Sequence, residues 1–222
     1  MKKIVLLATA ALLLLAGTAM AESIAGKVGI TARGGASYIL NSEFTDEAMI
    51  NLGMDQDIKR GIGWNAGGGI ICGITDNLAV NFDILYSRAD LKFSNSTYSD
   101  ETFGKGSSID FAFGAQWRFM PTSQFVPYVE AGVDVLMNKI SLDDEYSSPG
   151  ESWDAAVSFG GHLSAGVDFF ITPNIALNAE IRGLLANNAD VTRMCPGDPD
   201  VVVAKYNPSN ISGFLGIRFF FP

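Results

Sequence analysis

The stretch Asn210-Ile211-Ser212-Gly213-Phe214-Leu215-Gly216-Ile217-Arg218-Phe219-Phe220-Phe221 puts Ile211, Gly213, Leu215, Ile217, Phe219 and Phe221 on one side of an extended chain. Asn210, Ser212, Gly216 and Arg218 fall on the other side, with Phe214 and Phe220 as apolar exceptions. Side chains of a strand alternate between its two faces, so this period of two predicts a strand with one face in lipid and the other toward a polar interior. Seven more stretches of the same kind precede it from Gly26 onward. Together they predict an all-β protein, an eight-stranded antiparallel transmembrane up-and-down β-barrel.

The connections support this reading. Thr75-Asp76-Asn77, residues 121–127 and Thr172-Pro173-Asn174 are short turns, whereas 41–60, 93–106, 141–153 and the segment around Met194-Cys195-Pro196-Gly197-Asp198-Pro199 are long polar loops. Short and long connections alternate strictly, which places turns and both termini on the periplasmic side and the loops outside. Closure is required because an open sheet edge in hydrocarbon leaves backbone groups unpaired, at several kcal/mol each. A soluble eight-stranded barrel turns its polar residues outward, but here nearly every strand charge is expected to point inward.

Lys2 and Lys3 precede an apolar run over residues 4–16, and Ala19-Met20-Ala21 has the small-x-small form of a signal-peptidase site. Residues 1–21 are therefore expected to be a signal peptide and 22–222 the outer-membrane barrel. The apolar run is too short to span a membrane as a helix, for which about 20 residues are needed. Removal of the signal takes two lysines and no acid, which moves the formal charge from −9 to −11. So acidic a chain is a poor nucleic-acid ligand. Cys72 falls on an outward face near a short turn and Cys195 in a long loop, so the topology places them at opposite membrane faces. A disulfide needs Cα atoms within about 7 Å, hence two free thiols are expected.

The inward positions carry the candidate function. Arg33, Arg118, Arg182 and Arg218 face Asp83, Asp110, Glu130, Asp134, Asp168 and Glu180, with His162 among them. A mixture of signs in a narrow lumen favours internal ion pairs over a permanent ion channel. Eight strands leave an interior that side chains can fill or that holds one small ligand, so a plugged barrel and a narrow passage are both open. The apolar residues Ile39, Leu85, Leu91, Phe93, Leu136, Leu184 and Phe214 also face inward, several near the outer end. They favour passage of small hydrophobic molecules, with Leu136 and Leu184 as an apolar constriction. No cofactor, metal site or catalytic residue is expected. The loop acids Asp143, Asp144 and Glu145 read as a solvated face rather than as cation ligands bridging to lipopolysaccharide.

Val126-Pro127-Tyr128-Val129-Glu130-Ala131-Gly132-Val133, the segment from Ser164-Ala165-Gly166-Val167-Asp168 through Thr172-Pro173-Asn174-Ile175 to Glu180-Ile181-Arg182, and Asn207-Pro208 leading into Gly213-Phe214-Leu215-Gly216-Ile217-Arg218-Phe219 resemble the OmpW family of small outer-membrane barrels. The resemblance implies a monomeric barrel in the Gram-negative outer membrane, with a narrow, partly apolar interior that passes small hydrophobic compounds. Its partners would be outer-membrane lipid and lipopolysaccharide, the barrel assembly machinery and small hydrophobic solutes. Pro222 after Phe221 departs from the usual aromatic ending that the assembly machinery reads. The alternatives are a plugged structural or adhesive surface barrel, similar to OmpX and the opacity proteins, and an enzyme, because His162-Leu163-Ser164 resembles the His-x-Ser of lipid A deacylases. The enzyme reading is the weaker: both residues should face the mid-lumen, away from lipid substrate.

Overall fold

The structure is a computed structural model that describes residues 23–40, 57–60, 62–94, 99–143, 152–194 and 199–221. The expected signal peptide and Cys195 lie outside the described residues. Twelve strands follow one another: β1 (Val28–Ile39), β2 (Asp57–Arg60), β3 (Ile62–Gly73), β4 (Leu78–Ser94), β5 (Ser99–Arg118), β6 (Phe125–Leu142), β7 (Ser152–Ala155), β8 (Ser158–Thr172), β9 (Ile175–Ala186), β10 (Ala189–Met194), β11 (Val201–Tyr206) and β12 (Asn210–Phe220).

Eight of them close the barrel. β1, β3, β4, β5, β6, β8, β9 and β12 pair antiparallel in that order, and β12 returns to β1 through a ladder running from Gly29↔Phe220 to Ile39↔Asn210. The paired positions Val129, Ala165, Ile181, Gly213, Ala36, Trp64, Arg88, Ser107 and Lys139 trace one circuit that leaves β6 at residue 129 and re-enters it at residue 139. A stagger of ten residues over eight strands tilts each strand by roughly 40° and leaves an interior only wide enough for side chains.

Burial follows the period of two. Leu163, Leu215 and Leu185 on the wall are 70–72% exposed, whereas Asp168, Arg118 and Gln116 inside are 0% exposed. This inverts a soluble protein and matches a hydrocarbon solvent outside. Aromatic side chains frame the apolar band: Trp117, Phe119, Phe125, Phe169, Phe219 and Phe221 lie at the short-turn end, Tyr38, Trp64, Tyr86 and Phe159 toward the long-loop end. The rings of Phe125 and Phe169 pack tilted with centroids 4.7 Å apart, and those of Trp64 and Tyr86 likewise at 5.3 Å. Cys72 is a free thiol on the wall.

The strands run farther outward than the alternation of hydrophobicity predicts. β4 and β5 continue to Ser94 and back from Ser99 through what reads as a loop, β2 pairs with β4, and β7, β10 and β11 extend the β6 side of the barrel as a further ladder. Beyond the bilayer a strand meets water on its outer face. Backbone pairing therefore persists there after the apolar signal on that face has ended.

Candidate functional site in the barrel lumen

The sequence places eleven titratable side chains on the inner face, and all eleven are buried in the lumen, none more than 7% exposed. They join one connected network. At its periplasmic end Asp168 accepts from Arg118 at 2.8 Å, from Arg218 at 2.8 and 3.0 Å, and from Asn178 at 2.8 Å. Gln116 supports both arginines through its Oε1, at 2.9 Å from Arg118 and 3.4 Å from Arg218. Glu180 takes Arg33 at 2.8 Å and the Tyr128 hydroxyl at 2.7 Å, and Arg33 also reaches Asp83 at 2.9 Å. Farther out, Arg182 bridges Asp110, at 2.8 Å, and Asp134.

His162 ties two strand-neighbours together. Its Nδ1 lies 2.8 Å from Asp134 and its Nε2 3.0 Å from Glu130, both on β6. The ring fits because Gly132 stands between those acids: a Cβ on Gly132 would sit 2.4 Å from the imidazole. Ser164 Oγ has no hydrogen-bond partner among the described residues, and both imidazole nitrogens are already engaged by carboxylates. The His-x-Ser pair is therefore not assembled as nucleophile and base, which requires the base to hold the hydroxyl proton.

Apolar layers close the lumen on either side of this belt. Toward the periplasm Ile24, Ile71, Ala79, Val126, Phe170, Ala176 and Phe220 form one buried cluster, with Phe170 stacked on Phe220 at 5.9 Å. Outward, Leu85, Leu136, Leu184 and Ile39 are all buried, followed by Ser108, Asn138 and Ser158 in hydrogen-bond contact. Above them, in the part extended by β7, β10 and β11, Leu91, Ile140, Ala155, Ala189, Val191 and Tyr206 make a second apolar cluster, flanked by Leu142 and Trp153. Six of the seven apolar residues expected to face inward do so; the side chain of Phe93 lies outside the described ones.

Several members escape the sequence reading. Tyr128 is a hub, donating to Glu180, accepting from Asn178 at 2.9 Å and lying under the Arg218 guanidinium at 4.9 Å. Its position two residues before Glu130 is the signal that identifies it. Ala155, Ala189, Val191 and Tyr206 fall in segments that read as loops, where only the short alternation Ala189, Asp190, Val191, Thr192 marks an inner face. Among the described residues no group of three potential metal ligands is present.

Among the described residues, ion pairs fill the centre of the lumen and buried apolar side chains lie on either side of it. Bilayers containing the refolded barrel should show no discrete potassium chloride openings. A stable unitary current would contradict that.

Comparison with known proteins agrees with this architecture. The outer membrane protein OprG from Pseudomonas aeruginosa superposes with a TM-score of 0.66 at 15% identity, over 90% of this chain and 99% of that one. AlkL, an outer membrane protein solved in lipid bilayers, gives 0.55 at 15% identity over 92% and 94%. Neisserial surface protein A gives 0.53 at 17% identity over 89% and 98%. A search of the curated proteins found no match. These likenesses carry the fold, and they bear out the resemblance to small eight-stranded outer-membrane barrels. The chain belongs to the outer membrane protein beta-barrel domain family, whose model it matches over residues 7–219, and its place is the bacterial outer membrane.

Proposed function

We infer that this barrel admits small hydrophobic molecules at its outer mouth and releases them sideways into the membrane, without catalysis. The observation that carries the reading is the buried apolar cluster of Leu91, Ile140, Ala155, Ala189, Val191 and Tyr206, which sits above an ion-paired lumen. Apolar surface kept from water there is a site where a hydrophobic solute can replace side-chain contacts, at about 25 cal/mol for each Å² it removes from water. Leu136 and Leu184 lie deeper, beneath the layer of Ser108, Asn138 and Ser158, where a solute going farther down would meet them. Passage straight down would require dissolving a solute among buried charges, which is strongly unfavourable.

The wall beside the mouth supports a lateral exit. Regular pairing lapses at Ala156–Val157, Asn187–Asn188 and Asn207–Ser209. Isolated backbone bonds remain there, from the Ala156 amide to the Asp190 carbonyl at 2.9 Å, the Asn187 amide to the Phe159 carbonyl at 3.0 Å and the Leu40 amide to the Ser209 carbonyl at 2.9 Å. Side chains supplement them: Asn138 donates to the Ala156 carbonyl at 3.0 Å, Asn187 accepts from the Phe159 amide at 2.6 Å, and Ser209 Oγ accepts from the Ala186 amide at 2.9 Å. A wall held there by isolated backbone bonds and side chains parts without unzipping a long backbone ladder.

Uptake of a radiolabelled naphthalene by cells producing the protein is the test. Leu91→Asp and Leu184→Asp should each slow it roughly tenfold, because an entering solute must desolvate the new carboxylate. Correctly folded, heat-modifiable variants that take up naphthalene at the unaltered rate would overturn the reading.

The structural or adhesive alternative finds its support in the filled lumen, which a membrane anchor also needs. Unchanged uptake in both variants would favour it.

A further inference from the structure

One side of the lumen, just above the ion-paired belt, carries only short side chains. Neighbouring inward positions on β12, β1, β3 and β4 hold Ser212, Ser37, Asn65 and Ser87, with Gly35 and Gly63 between them. The register makes them one patch: Ser37 pairs with Ser212 and Gly63, and Asn65 with Gly35 and Ser87. Ser37 and Asn65 are therefore diagonal neighbours, close enough to share one bound group. Half a circuit shifts the register by about five residues, which brings Leu136 on β6, four strands away, to within about one residue of the height of Ser37. The patch thus looks across the lumen at an apolar wall.

Its polar atoms are buried without partners. Asn65 and Ser37 are each 3% exposed, and among the described residues nothing bonds to Asn65 Nδ2, Asn65 Oδ1 or Ser37 Oγ. Among those residues Asn65 alone is a buried amide with both ends unpartnered. The belt arginines that leave one nitrogen unpartnered still hold a carboxylate with another. A Cβ on Gly35 would sit 3.1 Å from Asn65 Oδ1, and one on Gly63 3.0 Å from Ser37 Oγ, so the glycines let both polar groups lie along the wall. Beside them Ser87 and Asn210 are only half-buried although both face inward, which leaves room in the lumen at this level.

A buried amide without partners is costly to keep, and its chemistry states what would satisfy it. Asn65 presents donors and an acceptor side by side, and Ser37 adds a hydroxyl. A primary amide matches them: its carbonyl accepts from Asn65 Nδ2, one of its N–H groups donates to Asn65 Oδ1, and the other is left for Ser37 Oγ. A carboxylate has no donor for Asn65 Oδ1, and it meets a lumen with six acids against four arginines and one histidine. A hydrocarbon satisfies neither side chain.

We propose that this patch binds a small neutral molecule with a primary amide head, its apolar part turned toward Leu136 and Leu184. The site rests on the entry of solutes from the outer mouth inferred above, and it adds recognition of a head group that the apolar mouth does not supply.

Nuclear magnetic resonance of the barrel refolded in lipid nanodiscs, with nitrogen-15 in its asparagine side chains, tests this with benzamide, benzoate and toluene. The three probes share one ring and differ in the group attached to it. Benzamide should shift the Asn65 amide resonance, identified by its absence from Asn65→Leu, and bind at least about tenfold more tightly than either other probe at equal free aqueous concentration. Asn65→Leu should lose that preference. Leucine is close to asparagine in shape and removes two unpartnered atoms, so this variant should unfold in urea no more easily than the parent. Equal affinities for the three probes would overturn the proposal, and that comparison needs no variant to fold. A preference that survives Asn65→Leu, or an Asn65 amide that contacts water alone in the presence of benzamide, would overturn it as well. Naphthalene has no head group, so a barrel that takes it up while showing no preference for benzamide would sink this site and leave the entry reading standing.

Discussion

Replacing Asp168 with alanine should lower the stability of the barrel by about 3–5 kcal/mol, the penalty typical of stranding a buried charge. Asp168 is wholly buried and accepts from two guanidinium groups and the Asn178 amide. Its removal leaves Arg118 and Arg218 side by side with their shared counter-charge gone. Gln116 offers only a neutral oxygen to both, and Glu180 is 4.0 Å from Arg218 and already engaged by Arg33. The exposed pair Lys105–Asp143 provides the contrast: its side chains are 39% and 43% exposed, so Asp143→Ala should change stability by less than about 1 kcal/mol. Urea unfolding in lipid vesicles, followed by tryptophan fluorescence, measures both. A loss below about 1 kcal/mol for Asp168→Ala would mean that the network is not what holds the lumen together.

The second large effect is expected at the seam that closes the barrel. Gly34 and Gly35 are adjacent on β1, yet alanine should be tolerated at one and not at the other. A Cβ on Gly35 would lie 1.8 Å from the Gly213 carbonyl oxygen of β12, a backbone atom that cannot rotate away. On Gly34 it would meet nothing nearer than the Asn65 carbonyl oxygen at 3.5 Å, an ordinary contact. Gly35→Ala must therefore push β1 and β12 apart where Gly35 pairs with Phe214. Overpacking of this kind typically takes 1–3 kcal/mol, and in a barrel the displaced ladder also exposes backbone groups to lipid. Gly35→Ala should largely abolish the heat-modifiable folded band on refolding, while Gly34→Ala should refold as the parent does. Equal yields from the two variants would show that the seam has slack the geometry does not suggest.

Both expectations concern closure, which also divides what can be read along the chain from what cannot. Alternation identifies the eight wall strands, the inner and outer face of each, and all eleven luminal charges, because a strand in hydrocarbon must turn polar atoms one way and apolar atoms the other. The turns at Thr75-Asp76-Asn77 and Thr172-Pro173-Asn174 follow from their residues as well. The same rule loses its force where lipid ends, which is why β7, β10 and β11 read as loop and the apolar mouth they build with Tyr206 goes unseen.

Partnership is a further matter. Nothing in the order of residues says that Arg33 meets Glu180 rather than Asp110, that His162 falls between two acids spaced four apart on β6, or that Asp168 serves two arginines from different strands. Those pairings depend on a stagger of ten residues around the circuit, and stagger arises only when the last strand finds the first. Composition and period determine a barrel with a charged interior. Closure at one particular register determines which charges neutralise which, and hence that the middle of this lumen is filled rather than open.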